Sequence, residues 1–308
     1  MMKKYNKSVL IIFIYLLLSI LFSHIILPFI FTSLYGEDVE TNDVKFVLLS
    51  QLIVYIIPIL AILFFTEKNK EKKSLYFLGN LFEKPTKRGL IISFVIGFVI
   101  FAVIKFFNLF YLDLLLAVTN FNGLIEEAPE LPFKSFLILF FVLTALPCLI
   151  EETLHRGLLY QSSSGKKSAL LLSVLPFTLL HTPLDTAITA LLISLFLFFI
   201  INRTDNIIYL YIVHFINNFL SLIFTYYIIL PFEPQKLTKT IVLSSELYVY
   251  ALISLIIVII SSMLFVFLIR LFEKKEHKYL IAKYTKIDKI LMIFVFIIYI
   301  FLFVVRLL

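Results

Sequence analysis

The chain has 308 residues, of which 61% are hydrophobic and only 15% are charged, and its formal net charge is +7. A typical soluble domain is about 45–50% apolar and about 25% charged. A water-soluble fold could not bury this much apolar surface, so the chain is predicted to lie in a membrane. The basic residues cluster between apolar runs, as they do in cytoplasmic loops, and no nucleic-acid partner is expected. Cys148 is the only cysteine, which excludes an intrachain disulfide and a cysteine-ligated zinc site.

The apolar runs predict an all-α fold, a polytopic transmembrane helix bundle with about 8–9 spans, because a helix needs about 20 mainly apolar residues to cross a bilayer. In chain order the predicted spans cover residues 9–34, 46–66, 89–118, 134–160, 168–183, 187–202, 206–230, 246–271 and 290–308. No segment is long enough to separate domains, so residues 1–308 are predicted to form a single integral membrane domain. Its parts are the N-terminal spans in 1–130, a motif-bearing core in 131–230 and the C-terminal spans in 231–308.

The connections between the predicted spans alternate in charge. Lys and Arg are concentrated in 67–88, 156–167 and 270–289, whereas 35–45 and 119–133 are acidic. Because inner loops carry an excess of Lys and Arg, this alternation predicts a multi-pass protein of the cell membrane with a cytoplasmic N-terminus. The abundance of Ile, Phe and Lys with few Gly indicates a bacterial source, and therefore a plasma membrane.

The fourth predicted span ends in a cluster of ionisable residues. Such groups are costly within a bilayer and are candidates for function. In a helix, Glu152 and Arg156 are separated by four residues, so they share a face and can form an ion pair. Glu151 lies about 100° around the helix, where it lacks that partner and shares a face with His155. We therefore expect a structural Glu152–Arg156 pair and a carboxylate, Glu151, that is available for chemistry.

Two later spans also carry polar residues. His181 is in the fifth span, and His214 and Asn218 lie one helical turn apart in the seventh. At a rise of about 1.5 Å per residue, Glu151, His181 and His214 come to similar depths in the bilayer, which predicts that they meet in one layer.

Several kinds of chemistry fit these residues. A carboxylate and a histidine can activate water, and a His with an Asn amide can donate hydrogen bonds to an oxyanion, which suits amide hydrolysis. Glu and His are also zinc ligands, and intramembrane Glu and His can relay protons in a transporter. Hydrogen bonding between helices is the structural alternative for each His. The sequence has no H-E-x-x-H, G-x-S-x-G or glycine-rich phosphate loop.

The three groups together resemble the signature of a known family. Glu151-Glu152-x-x-x-Arg156, Phe177-x-x-x-His181 and His214-x-x-x-Asn218 are similar in order, spacing and placement to the motifs of the CAAX protease and bacteriocin-processing (CPBP or Abi) family of intramembrane glutamic endopeptidases. That family includes the eukaryotic endopeptidase that trims prenylated CAAX proteins. The resemblance covers residues 130 to 230.

The resemblance implies a role for each motif residue. Glu151 and His181 would activate the attacking water, His214 and Asn218 would stabilise the oxyanion, and Glu152 and Arg156 would support the site. The implied protein is an intramembrane endopeptidase that needs no cofactor, with zinc as the alternative. Its partners would be a membrane-associated peptide or protein substrate and the lipid bilayer. Some family members act without proteolysis, so a bacteriocin-immunity, scaffolding or regulatory protein of the same fold is the alternative function.

Overall fold

The structure, a computed structural model, describes residues 84–118, 133–160, 163, 165–181, 184–224 and 245–275, together with isolated residues of the N- and C-terminal parts, among them Tyr55. Within these residues the regular structure is helical throughout, with no β-strand. The predicted all-α fold is therefore confirmed for the described part of the chain.

Seven α-helices and two π-helical segments make up the described chain. The α-helices are α1 (Lys87–Val118), α2 (Phe133–Leu139), α3 (Leu146–Glu152), α4 (Lys166–Leu180), α5 (Leu184–Thr204), α6 (Ile207–Ile223) and α7 (Ser245–Arg270). The π-helical segments are π1 (Phe140–Ala145), between α2 and α3, and π2 (Thr153–Leu159), after α3. Residues 133–160 thus form one uninterrupted helix with two wider turns.

Among the described residues, four helices are long and apolar enough to cross a membrane: Lys87–Asn108, Ser135–Leu159, Thr186–Thr204 and Leu252–Arg270. The shorter helix α6 is also apolar. These helices coincide with predicted spans, and they identify a membrane protein. The total of 8–9 spans is not confirmed, because the predicted spans 9–34, 46–66 and 290–308 lie almost entirely outside the described residues.

The two π-helical segments alter the phase of the motif-bearing helix. The amide of Leu146 donates to the carbonyl of Phe141, and the amide of Tyr160 donates to that of His155. Each bond spans five residues instead of four, so the turn contains an additional residue. After each wide turn, the side chains are therefore shifted around the helix relative to a wheel with 3.6 residues per turn.

Two glycines bring α1 close to α6. A Cβ atom at Gly97 would lie 2.8 Å from Cβ of Ile216, and one at Gly89 would lie 2.3 Å from the hydroxyl oxygen of Tyr209. Small residues allow such close approach in membrane bundles, where dispersion contacts replace the hydrophobic effect between helices. Because Ile216 lies between His214 and Asn218, this contact also sets the position of the third motif.

The interior and the periphery of the bundle are both apolar. Completely buried side chains from α1, α5 and α6 form the centre of the core, and they include Ile96, Ile100, Leu197, Ile200, Leu210 and Val213. On α7, large side chains are exposed instead, among them Leu252, Ile256, Ile260 and Met263. An apolar surface of this extent requires an apolar solvent, which is consistent with a helix that faces lipid.

The start of α1, the α5–α6 turn and the end of α7 lie at one end of the bundle, which we call the basic end because it carries Lys84, Arg88, Arg203 and Lys275. Here the Tyr209 hydroxyl accepts a hydrogen bond from the amide of Thr86, at 3.0 Å. The Arg203 side chain donates to the carbonyl of Phe272, at 3.1 Å, and the amide of Lys275 donates to the carbonyl of Arg203, at 3.0 Å. The start of α1, the α5–α6 turn and the end of α7 therefore meet, as the predicted alternation of loop charge requires.

Candidate active site

The site lies where the motif-bearing helix packs against α6. Contacts along this seam pair Phe140 with Phe219, Cys148 with Asn218, Glu152 with His214 and Thr153 with Tyr211. Since residue numbers rise on one helix as they fall on the other, the two helices are antiparallel. His214 is the eighth residue of α6, so it lies roughly 10 Å along the helix from the basic end.

Glu152 and Arg156 form the predicted ion pair. The guanidinium nitrogen Nη1 lies 3.0 Å from Oε1 of Glu152, and both side chains are completely buried. Nη2 of Arg156 donates to the hydroxyl of Ser194 on α5, at 2.6 Å. The guanidinium also lies 4.7 Å from the centre of the Phe177 ring on α4. Because burial of two charges is tolerated only when they are paired and hydrogen-bonded, this pair fixes three helices relative to one another.

His214 contacts both glutamates. Its Nδ1 lies 2.8 Å from Oε1 of Glu152, and its Nε2 lies 3.9 Å from Oε2 of Glu151. A carboxylate oxygen accepts, so Nδ1 carries the hydrogen, and Nε2 is the nitrogen next to Glu151. The imidazole is 3% exposed, and Glu152 therefore fixes both its orientation and its tautomer.

Glu151 differs from Glu152 in its access to the surroundings. Its side chain is 18% exposed, whereas that of Glu152 is completely buried. The hydroxyl of the buried Tyr55 donates to Oε1 of Glu151, at 3.3 Å. Among the two adjacent carboxylates, Glu151 is thus the one that a water molecule or a peptide bond can approach.

The Phe177 ring joins the remaining histidines to this cluster. Its centre lies 4.6 Å from that of His181, 5.4 Å from that of His155 and 6.0 Å from that of His214. The predicted face shared by Glu151 and His155 is not observed as a contact: His155 is buried and packs edge-on against Phe177.

His181 lies just beyond the end of α4, although the predicted span continued to residue 183. Its backbone is extended, with φ −96° and ψ 109°, and its amide donates to the carbonyl of Thr178. The helix ends at Leu180, three residues before Pro183, and helices usually end at or before the residue that precedes a proline. Nδ1 of His181 lies 2.7 Å from the carbonyl oxygen of Phe177. A carbonyl can only accept, so Nδ1 is the donor and the neutral ring keeps a lone pair on Nε2.

Asn218 lies one turn beyond His214 on α6. Its Nδ2 is 3.9 Å from the sulfur of Cys148, and its Oδ1 accepts a hydrogen bond from Asn217, at 3.2 Å. A contact of 3.9 Å to sulfur is weak, so the amide NH₂ group is only loosely held. Asn218 is partly exposed, which leaves this donor accessible.

Three further residues were not predicted as part of the site. Tyr55 and Ser194 resemble ordinary span residues in the sequence, and Phe177 was noted only as part of its motif. The structure places all three in contact with motif side chains. In the described part of the chain, no group of three or more His, Cys, Asp or Glu side chains is arranged to hold a metal ion.

The arrangement brings a partly exposed carboxylate next to an oriented imidazole, with a second histidine and an accessible amide close by. A base held by a second group is the pattern that activates a nucleophile, and donors near it can stabilise developing negative charge. No curated protein and no solved structure matches the chain. Residues 133–220 match the family model described as "Type II CAAX prenyl endopeptidase Rce1-like", and this match confirms over that segment the CAAX protease family that the three motifs predicted.

Proposed function

We propose that the protein is an intramembrane endopeptidase that hydrolyses a peptide bond of a membrane-associated protein or peptide. The observation that carries the proposal is the pair of contacts made by His214, which lies between a buried, charge-paired Glu152 and a partly exposed Glu151. The family match over residues 133–220 supports hydrolysis of the CAAX protease type. The membrane-spanning helices around the site support a substrate that is itself associated with the bilayer.

In the proposed mechanism, Glu151 takes a proton from the attacking water. Glu152 is a poor candidate for this step, because Arg156 and His214 already occupy its Oε1 and it has no exposed surface. Glu151 has exposed surface and no such cation, so it is the carboxylate that can reach a water molecule. His181 shares the proton through Nε2, the nitrogen that remains an acceptor when Nδ1 donates to the carbonyl of Phe177.

His214 and Asn218 are proposed to meet the oxyanion that forms at the attacked carbonyl. His214 can donate from Nε2 only when the ring carries both protons, because its Nδ1 hydrogen is directed to Glu152. The carboxylates of Glu151 and Glu152 provide negative charge next to the doubly protonated ring. Asn218 adds a neutral donor on the same face of α6. The loss of a donor of this kind typically costs about 10²–10³-fold in rate.

The proposed enzyme uses water and needs no cofactor. Zinc is the alternative that the Glu and His side chains allow chemically. Purified protein, assayed with and without a strong chelator, distinguishes the two mechanisms. Activity that disappears on chelation and returns with stoichiometric zinc would make the histidines metal ligands.

The orientation in the membrane is part of the proposal. The basic end is proposed to face the cytoplasm, which puts the N-terminus on the same side, as the loop charges predict. A single cysteine at position 274, in a protein whose Cys148 is replaced by alanine, should react with an impermeant reagent only after the membrane is opened. Labelling of intact cells at this position would reverse the orientation.

Replacement of Glu151 by glutamine tests the function. Glutamine keeps the shape of the side chain and removes its basicity, so activity should fall about 10²–10⁴-fold while the protein remains folded. Peptides released from membranes should be compared between cells with the wild-type protein, Glu151→Gln and the control Glu233→Gln. A substrate should accumulate uncut only in Glu151→Gln cells. If all three strains release the same peptides and the Glu151→Gln protein still functions in the cell, an immunity or scaffolding role would be favoured.

A further inference from the structure

A cleft of about 90 Å³ opens at the basic end, where α1 begins, α5 turns into α6 and α7 ends. Its lining includes Lys84, Thr86, Arg88, Tyr209, Glu273 and Lys275. The volume exceeds what a single water molecule occupies, and it has room for a small anion. None of the seven motif residues contributes to this cleft.

The charge of the cleft is positive. Lys84, Arg88 and Lys275 provide three cations against the single carboxylate of Glu273, a net charge of +2. All four residues are exposed to solvent, so a ligand can reach the charged groups of Lys84 and Arg88.

The inner part of the cleft offers a fixed polar surface. The hydroxyl of Tyr209 is held by the amide of Thr86, at 3.0 Å, and the side chain of Asn206 accepts from the amide of Ile208, at 3.0 Å. The side chain of Thr204 is buried and bonded to the carbonyl of Ile200. These bonds hold the walls in place, so the cleft is preformed.

The cleft lies at the level where the apolar spans end. The candidate span of α1 starts at Lys87, that of α5 ends at Thr204 and that of α7 ends at Arg270. Lipid head groups occupy this level of the bilayer. The buried apolar side chains of Ile92 and Phe272 also line the cleft, which suits a ligand with a charged head and an apolar body.

We propose that this cleft binds the phosphate group of an anionic phospholipid from the leaflet that surrounds the basic end. Basic pockets between transmembrane helices bind anionic head groups through Lys and Arg, and Arg can hold phosphate with two parallel hydrogen bonds. A soluble phosphate ester shares this chemistry, but the depth of the cleft favours a ligand anchored in lipid. The proposal stands independently of the peptidase activity.

The test uses the full chain in detergent, with phosphatidylglycerol titrated in and phosphatidylcholine as the uncharged reference. Retained lipid is counted by native mass spectrometry. The wild-type protein should retain phosphatidylglycerol in preference to phosphatidylcholine, and Lys84→Gln/Arg88→Gln should lower the affinity roughly 10- to 30-fold. The matched control is Lys87→Gln/Lys274→Gln, which removes two exposed basic residues next to the cleft that do not line it. This control should bind as the wild type does.

Three results would overturn the proposal. The first is a wild-type protein with no preference for phosphatidylglycerol, a measurement that needs no variant. The second is equal loss of affinity in the cleft variant and the control, which would indicate general surface charge. The third is inorganic phosphate that binds as tightly as the lipid, which would assign the cleft to a soluble anion. The thermal unfolding midpoints of both double variants are compared in lipid-free detergent. Equal midpoints show that a change in lipid binding does not come from loss of fold. If Lys84→Gln/Arg88→Gln does not fold, the single variant Arg88→Gln is measured in its place.

Discussion

Replacing Arg156 by alanine should lower the free energy of unfolding by about 3–5 kcal/mol, the usual cost of removing one partner from a buried ion pair. The structure explains why the cost is large. Glu152 would lose its guanidinium partner while it has no exposed surface, and its nearest remaining partner would be His214, at 2.8 Å. The hydrogen bond from Arg156 to the Ser194 hydroxyl, 2.6 Å long, and the contact with the Phe177 ring would also be lost. Against a total stability of roughly 5–15 kcal/mol, much of the protein would fail to fold.

A double-mutant cycle separates the pair from its surroundings. Glu152→Gln and Arg156→Met should each destabilise the protein, whereas the double variant should lose less than the sum of the two. The reason is that no unpaired buried charge remains when both partners are neutral. Coupling energies of about 0.5–3 kcal/mol are usual for residues in direct contact.

Equilibrium unfolding in mixed micelles of SDS and a mild detergent, followed by circular dichroism, measures these free energies. Arg270→Ala is the control, because Arg270 is exposed at the end of α7 and its loss should cost no more than about 0.5 kcal/mol. An Arg156→Ala protein with the unfolding free energy of the wild type but without activity would refute the structural role and assign Arg156 to the chemistry.

Two further substitutions test the packing and the unexpected tyrosine. Gly97→Ala should lower both stability and activity, because its Cβ would lie 2.8 Å from that of Ile216 and push α6 away. Gly165→Ala is the control: a Cβ there has nothing within 4 Å, so neither thermal unfolding nor turnover should change. Equal behaviour of the two variants would contradict the close α1–α6 contact. Tyr55→Phe should reduce kcat about 2- to 10-fold without loss of fold, since it removes one hydrogen bond to Glu151. A decrease in kcat as large as that of Glu151→Gln would mean that the hydroxyl takes part in the chemistry.

Local spacing was sufficient to predict some of the site. The four-residue separation of Glu152 and Arg156 predicts a shared face, and the two side chains are paired at 3.0 Å. The apolar runs likewise predict helices α1, α5 and α7 with small errors at their ends. In each case the governing interaction lies within one helix or between a helix and its solvent, so the sequence pattern contains it.

Contacts between helices could not be predicted from the sequence. The position of His214 between two glutamates depends on the antiparallel packing of α6, which spacing does not determine. Tyr55 reaches Glu151 across 96 positions of the chain, and an aromatic residue in an apolar run gives no sign of such a role. The expected Glu151–His155 face is not observed as a contact, because His155 packs against Phe177 on α4, which spacing within one helix does not predict.

The two π-helical segments also have a consequence for how such a helix can change in length during evolution. Each segment already accommodates one additional residue, so a single-residue deletion within Phe140–Ala145 could convert a wide turn to an α-helical one. The same deletion before Glu151 in α3 would rotate both glutamates together by about 100° relative to α6, away from the imidazole they share. Among related chains, insertions and deletions in this helix should therefore fall in the wide turns and leave the α-helical turn between them at constant length.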